Sequence, residues 1–265
     1  MTQLGDYAPD PGSDLYYAVR FTPAAQRPAI AAVEACRHVL SEIPLTTSDP
    51  GVARIKLAWW ADELARTAAG QPRHPITLAM HAAGAASDAS ALRPLVEFQQ
   101  ARLGAAAIAT EAALQAATSE AFAHYCRVHL HLAGATESLM PLADTVAATE
   151  LAYGLLDIHR HLRAGISPVP LDACPAGVHP LDLATHEDRV AAERALQTLA
   201  TVRVNQLRQM LDQWPASGST TRLLRNRAKL AAATLAAASH DQPRFLSERT
   251  SLTPLRKFWL TWRDA

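Results

Sequence analysis

Apolar positions along the chain recur mostly at intervals of three and four, with alanine as the commonest filler. Alternating runs of β-branched residues are almost absent, and only 11 of 265 residues are glycine. This pattern predicts helices throughout. Several starts are marked by proline just after a capping or polar residue. They are Thr22-Pro23, Asp49-Pro50, His74-Pro75 and Thr253-Pro254. Another helix is expected to open with Thr185 and Asp188 at capping-box spacing and run to about Trp214. Further helices are expected over about 91–117, 118–140 and 143–164. Residues 165–184 hold four prolines and read as an irregular loop across one end of a bundle. The same helical composition on both sides argues for one domain over 1–265, with 1–13 as a flexible tail.

In "KLAWWADEL", Leu57, Trp60, Ala61 and Leu64 share one helical face and Trp59 lies toward its edge. This predicts Trp60 as the more buried of the pair.

Composition narrows the functions. Lys and Arg total 25 and so do Asp and Glu, so the chain lacks the basic excess that nucleic-acid binding uses. The three cysteines, Cys36, Cys126 and Cys174, form no close pair. Neither a zinc site nor a disulfide framework is indicated, and a reducing, cytoplasmic setting is expected. The first residues lack an apolar run, and no stretch is long enough to span a bilayer. Contact with a membrane surface stays open.

The histidines do not form a metal site. His129 and His131, like His159 and His161, are two apart on helices and point in different directions. Asp157, Arg160, His161 and Ala164 do share a face. Taken alone, they read as an intrahelical ion pair.

Several segments together resemble the squalene/phytoene synthase family of head-to-head prenyl transferases. "DLYYAVRFTPAAQRPAIAAVEACRHV" resembles the family's first helices, and "DPGVARIKLAWWADEL" its paired-tryptophan helix. "HLAGATE" resembles its A-G segment, "LLDIHRHLRAGISPVPLD" its second Asp-rich motif, and "PLRKFWLTWR" its C-terminal helix. The resemblance implies an all-α, single-domain isoprenoid-synthase-type bundle around a central apolar cavity. It also implies Mg²⁺ ions, held between two acid-rich helices, that neutralise the diphosphate leaving groups.

This chain departs from the pattern at both helices. Asp157 matches the first acid of the second motif, but Arg160 and His161 occupy the next two acid positions, and Leu156 replaces the preceding arginine. In the first motif Arg37 matches, while the acid positions fall on Leu40, Ser41 and Pro44 and leave only Glu42 nearby. Glu137 stands where a glycine is usual. The shortened first motif resembles the branch of the family found among assembly factors for mitochondrial respiratory complex I.

The expectation is a member with no catalytic residues, no metal site and no cofactor. An isoprenoid, a lipid or a partner protein is its expected ligand. The alternative is an active transferase, with Mg²⁺, acting on allylic diphosphates through an altered site. Arg37, Asp157, Arg160, His161 and Arg163 are the candidate anion- or substrate-binding residues. On that alternative, protonation of His161 strengthens anion binding as pH falls from about 7.5 to about 6.

Overall fold

The computed structural model describes residues 4–135, 138–214, 221–240 and 244–263. Among them are eleven α-helices and no strand. They are α1 (Asp14–Arg20), α2 (Arg27–Thr46), α3 (Pro50–Ala68), α4 (Pro75–Ala82), α5 (Arg93–Arg102) and α6 (Glu111–Ala133). The rest are α7 (Leu139–Leu156), α8 (Ile158–Arg163), α9 (Arg189–Asp212), α10 (Arg222–Ala238) and α11 (Pro254–Trp262).

The proline signals locate three starts. Asp49 Oδ1 accepts from Val52 N, His74 Nδ1 from Ile76 N and Thr253 Oγ1 from Arg256 N. Each bond satisfies a first-turn amide that has no partner inside its helix. At Thr22-Pro23 the chain only turns, and α2 begins at Arg27, with Pro28 in its first turn.

Three other expectations are corrected. The single helix over 91–117 is two. Gly104, at φ +74°, ends the first, and Thr110 caps the second by accepting from Ala113 N. Residues 143–164 also form two helices. They meet at Asp157, whose φ of −106° and ψ of 25° leave the helical region. α9 starts three residues later than a Thr185 cap would place it, because Asp188 itself caps by accepting from Ala191 N. Within the segment 1–13, expected as a tail, Leu4 is buried and the Tyr7 ring lies 5.0 Å from that of His74, while residues 5–7, 10 and 11 are exposed.

α7 is the central element. Leu142, Ala143 and Val146 pack toward α2–α6, while Ala148, Ala152 and Leu155 pack toward α9 and α10. A helix that is apolar on all sides is stable only when enclosed.

Residues 165–184 are irregular apart from two short 3-10 turns. The loop is held by buried Arg203, which donates to the carbonyls of Pro168 and Leu151 and pairs with Glu111 at 2.8 Å. Gly154 lets it approach α7, since a Cβ there would sit 3.0 Å from Pro168 Cβ. Trp60 is 4% exposed and Trp59 43%, and the Trp60 ring lies 4.7 Å from that of His74. This is the order the helical face predicts.

Candidate functional site

A cavity of about 880 Å³ opens between α2, α5, α7, α8 and α10. Its walls are mixed rather than wholly apolar. Phe98, Phe122 and Leu114 line it together with Arg37, Glu42 and Glu150.

Beneath it lies a buried charge network. Glu34, on α2, is fully enclosed. One carboxylate oxygen accepts from Tyr125 Oη and lies 3.1 Å from His129 Nε2. The other accepts from Arg37 Nε at 3.1 Å, with Arg227 Nη1 at 3.7 Å. Burial alone would push the Glu34 carboxyl up. The charges of Arg37 and Arg227 and the bond to His129 outweigh it and hold the group far below the usual carboxylate range. Glu150, on α7, bridges the same two arginines, at 3.3 Å from Arg37 and 2.5 Å from Arg227.

α2 and α8 face each other across the mouth, where the acid-rich motifs of the resemblance would meet. Arg160 there forms a bidentate pair with Glu42, at 3.2 and 2.5 Å. Arg249 Nε lies 2.9 Å from Asp157 Oδ1, although that oxygen accepts no well-formed hydrogen bond. Burial raises the Asp157 pKa, and Arg249 and Arg160 offset only part of that rise. Further along the wall, Asp14 is held by Lys257 Nζ at 2.8 Å and by Tyr153 Oη at 3.1 Å.

The structure thus brings four of the five candidates together. Arg37, Asp157, Arg160 and His161 line the cavity, whereas Arg163 is exposed and lies outside it. His161 is not the proton switch expected of it. Burial, and then the charge of Arg102, bring its pKa down to about 4. It therefore stays neutral between pH 7.5 and 6. Asp144 does not supply a missing acid, since it accepts from Ser119 Oγ at 2.6 Å. Glu137 lies outside the described residues.

Arg102, Arg249 and Glu34 have no signal of this kind in the sequence, and Glu150, an acid that could have filled a missing position, is taken up by Arg37 and Arg227. Arg102 lies in the wall, over the Phe98 ring and bonded to Gln99 Oε1 at 3.2 Å. Among the described residues no carboxylate lies within ion-pair distance of it. Arg227 had a faint signal in the acid-free run "RLLRNRAKL", but its partners come from α2, α6 and α7.

The residues present do not fit a Mg²⁺ clamp. A hard divalent ion takes several oxygen ligands. Here the Glu42 carboxylate is taken up by Arg160, and Asp157 stands beside Arg249. Among the described residues no group of three His, Cys, Asp or Glu is placed to hold a metal.

A sequence model described as squalene/phytoene synthase matches residues 8–256. Among solved structures, the fold is similar to one titled as a dehydrosqualene synthase in complex with ligand. The TM-score is 0.65 at 14% identity, over 95% of this chain and 90% of that one. At such identity the likeness shows the fold alone. No curated protein sequence matches.

Proposed function

The chain belongs to the squalene/phytoene synthase family, and from that premise we propose that it is a non-catalytic member, a binding or assembly protein that keeps the family's cavity. The observation that carries this reading is the Glu42–Arg160 pair. Ionisation of an allylic diphosphate needs its leaving-group charge neutralised. In this chain the two facing helices are bridged by an ion pair instead of by acids that could hold metal.

The wall cations do not readily take over that task. Arg37, Arg160, Arg227, Arg249 and Lys257 each have a carboxylate within 4 Å. A diphosphate would have to displace those carboxylates. A cavity of this size suits an isoprenoid or lipid without a diphosphate head.

One observation favours the second reading, an active transferase with an altered site. Arg102 faces the cavity and, among the described residues, has a neutral amide, that of Gln99, as its side-chain hydrogen-bond partner.

The deciding experiment is incubation with farnesyl and geranylgeranyl diphosphate plus Mg²⁺, with product analysis. No product above the protein-free control is expected. Measurable squalene, phytoene or presqualene diphosphate would overturn the non-catalytic reading.

A further inference from the structure

α11, "PLRKFWLTW", is amphipathic in the inverted sense. The residues it turns inward are Lys257 and Thr261, both buried. Lys257 Nζ pairs with Asp14 and donates to the Gly12 carbonyl at 3.0 Å. The residues turned outward are Leu255, Phe258, Trp259 and Trp262, at 82, 38, 49 and 55% exposure. Their spacing is i, i+3, i+4 and i+7, which makes one continuous stripe. The Phe258 and Trp262 rings stack with centroids 6.3 Å apart. Surface helices usually bury such a stripe, and an exposed apolar patch rimmed by charge marks an interaction surface.

The rim indicates what covers it. α10 and α11 contain no Asp or Glu, in a chain whose overall charge is balanced. Arg263 lies over the Trp259 ring at 4.9 Å. Arg222 donates to the Phe21 carbonyl, and the Phe21 ring lies 5.6 Å from that of Phe258. Lys229 joins the same cluster. Burial and the charges of Arg225, Arg263 and Arg222 bring its pKa down to about 8. Arg256 is exposed on α11 itself. The next acid along the chain, Asp264, lies outside the described residues.

We propose that α11 docks on an anionic lipid surface, with Leu255, Phe258, Trp259 and Trp262 in the interfacial layer and the surrounding cations on the headgroups. Tryptophans favour this layer because their rings are apolar with one polar edge. A flanking set of Arg and Lys adds attraction to anionic lipid. A second copy of the chain would instead bring one cationic rim against another. The inward side of α11 supplies Lys257 to the cavity wall, so docking would set the cavity beside the bilayer.

The test is co-sedimentation of the full chain with vesicles of phosphatidylcholine alone, or with roughly one-third phosphatidylglycerol. Binding is expected on the anionic vesicles, with loss of most of it in about 0.5 M salt. The Trp259→Ala, Trp262→Ala pair should weaken it about tenfold or more. Trp59→Ala, which removes an exposed tryptophan from α3, should bind as the parent does. Leu255→Glu, at the most exposed of the four positions, tests the same face if the double variant does not fold. Three results would each overturn the proposal: failure of the parent chain to bind anionic vesicles, equal binding by the α11 variants, or a stable dimer in solution that hides the α11 tryptophans.

Discussion

Arg160 of α8 grips Glu42 of α2 through two parallel hydrogen bonds, at 3.2 and 2.5 Å. The two helices that in this family's pattern approach each other through metal ions approach here through an ion pair. A guanidinium is planar and permanently charged, so it can engage both oxygens of one carboxylate at once.

Breaking this pair should have a modest effect on stability. Both side chains are more than a quarter exposed, so Arg160→Ala is expected to cost about 1 kcal/mol or less in denaturant melts. The substitutions Arg160→Glu and His161→Asp together should do more to the chemistry. They free Glu42 and add two acids beside Asp157. Calorimetry should then detect Mg²⁺ binding, and with the parent no saturable heat is expected. Turnover should still be absent, because Leu40, Ser41 and Pro44 offer no matching acids on α2. Product formation by this variant would contradict the account.

His161 should leave a mark on the pH dependence of stability. Its folded pKa of about 4 lies below the ordinary value of 6.5, so the unfolded chain binds the extra proton first. Stability tied to the neutral ring is complete above about pH 6.5. It is lost as pH falls toward 4, by roughly 3 kcal/mol in all. His161→Gln should flatten that part of the curve. Diphosphate affinity, if measurable, should not rise between pH 7.5 and 6.

Trp60 and Trp59 should respond differently to truncation. Trp60→Ala removes a buried ring tilted against that of His74 and should cost about 3–5 kcal/mol. Trp59→Ala, at a site 43% exposed, should cost about 1 kcal/mol or less. Equal losses in urea melts would contradict the assigned burial.

Glu34 should be among the least replaceable side chains. Its carboxylate joins α2 to Tyr125 and His129 of α6 and to Arg227 of α10. Among the described residues, Glu34→Ala leaves Arg227 and Arg37 with Glu150 as their one carboxylate partner, and should cost about 3–5 kcal/mol. Tyr125→Phe removes the hydroxyl's bond to Glu34 and the longer one it accepts from Arg227 at 3.4 Å but leaves the charges paired, so about 1–2 kcal/mol is expected. Chemical denaturation of the two variants side by side would test that order.

Much of the fold was legible in the chain itself. Helix starts follow from local chemistry: Asp49, His74 and Thr253 cap helices whose next residue is proline, and those signals need no distant partner. The burial order of Trp59 and Trp60 follows from helical periodicity. The loss of acids at Leu40, Ser41, Pro44, Arg160 and His161 was also plain, because a residue's identity is local information. Helix ends and breaks were read less well. The turn at Asp157 and the Gly104 stop depend on how α7 and α5 meet their neighbours, and α10 begins at Arg222 with no cap bond from the Thr221 side chain.

Which charge faces which was decided only by the tertiary structure. Glu42 and Arg160 are 118 residues apart, Glu34 and His129 are 95, and Arg227 and Glu150 are 77. No spacing rule reaches that far, because an ion pair forms wherever packing brings two side chains within a few ångströms. The neutral state of His161 belongs to the same class, since it comes from burial against α5 and α7. The outward apolar stripe of α11 does as well. The order of residues marks an amphipathic helix, and only the packing of Lys257 onto Asp14 settles which face is turned to the outside.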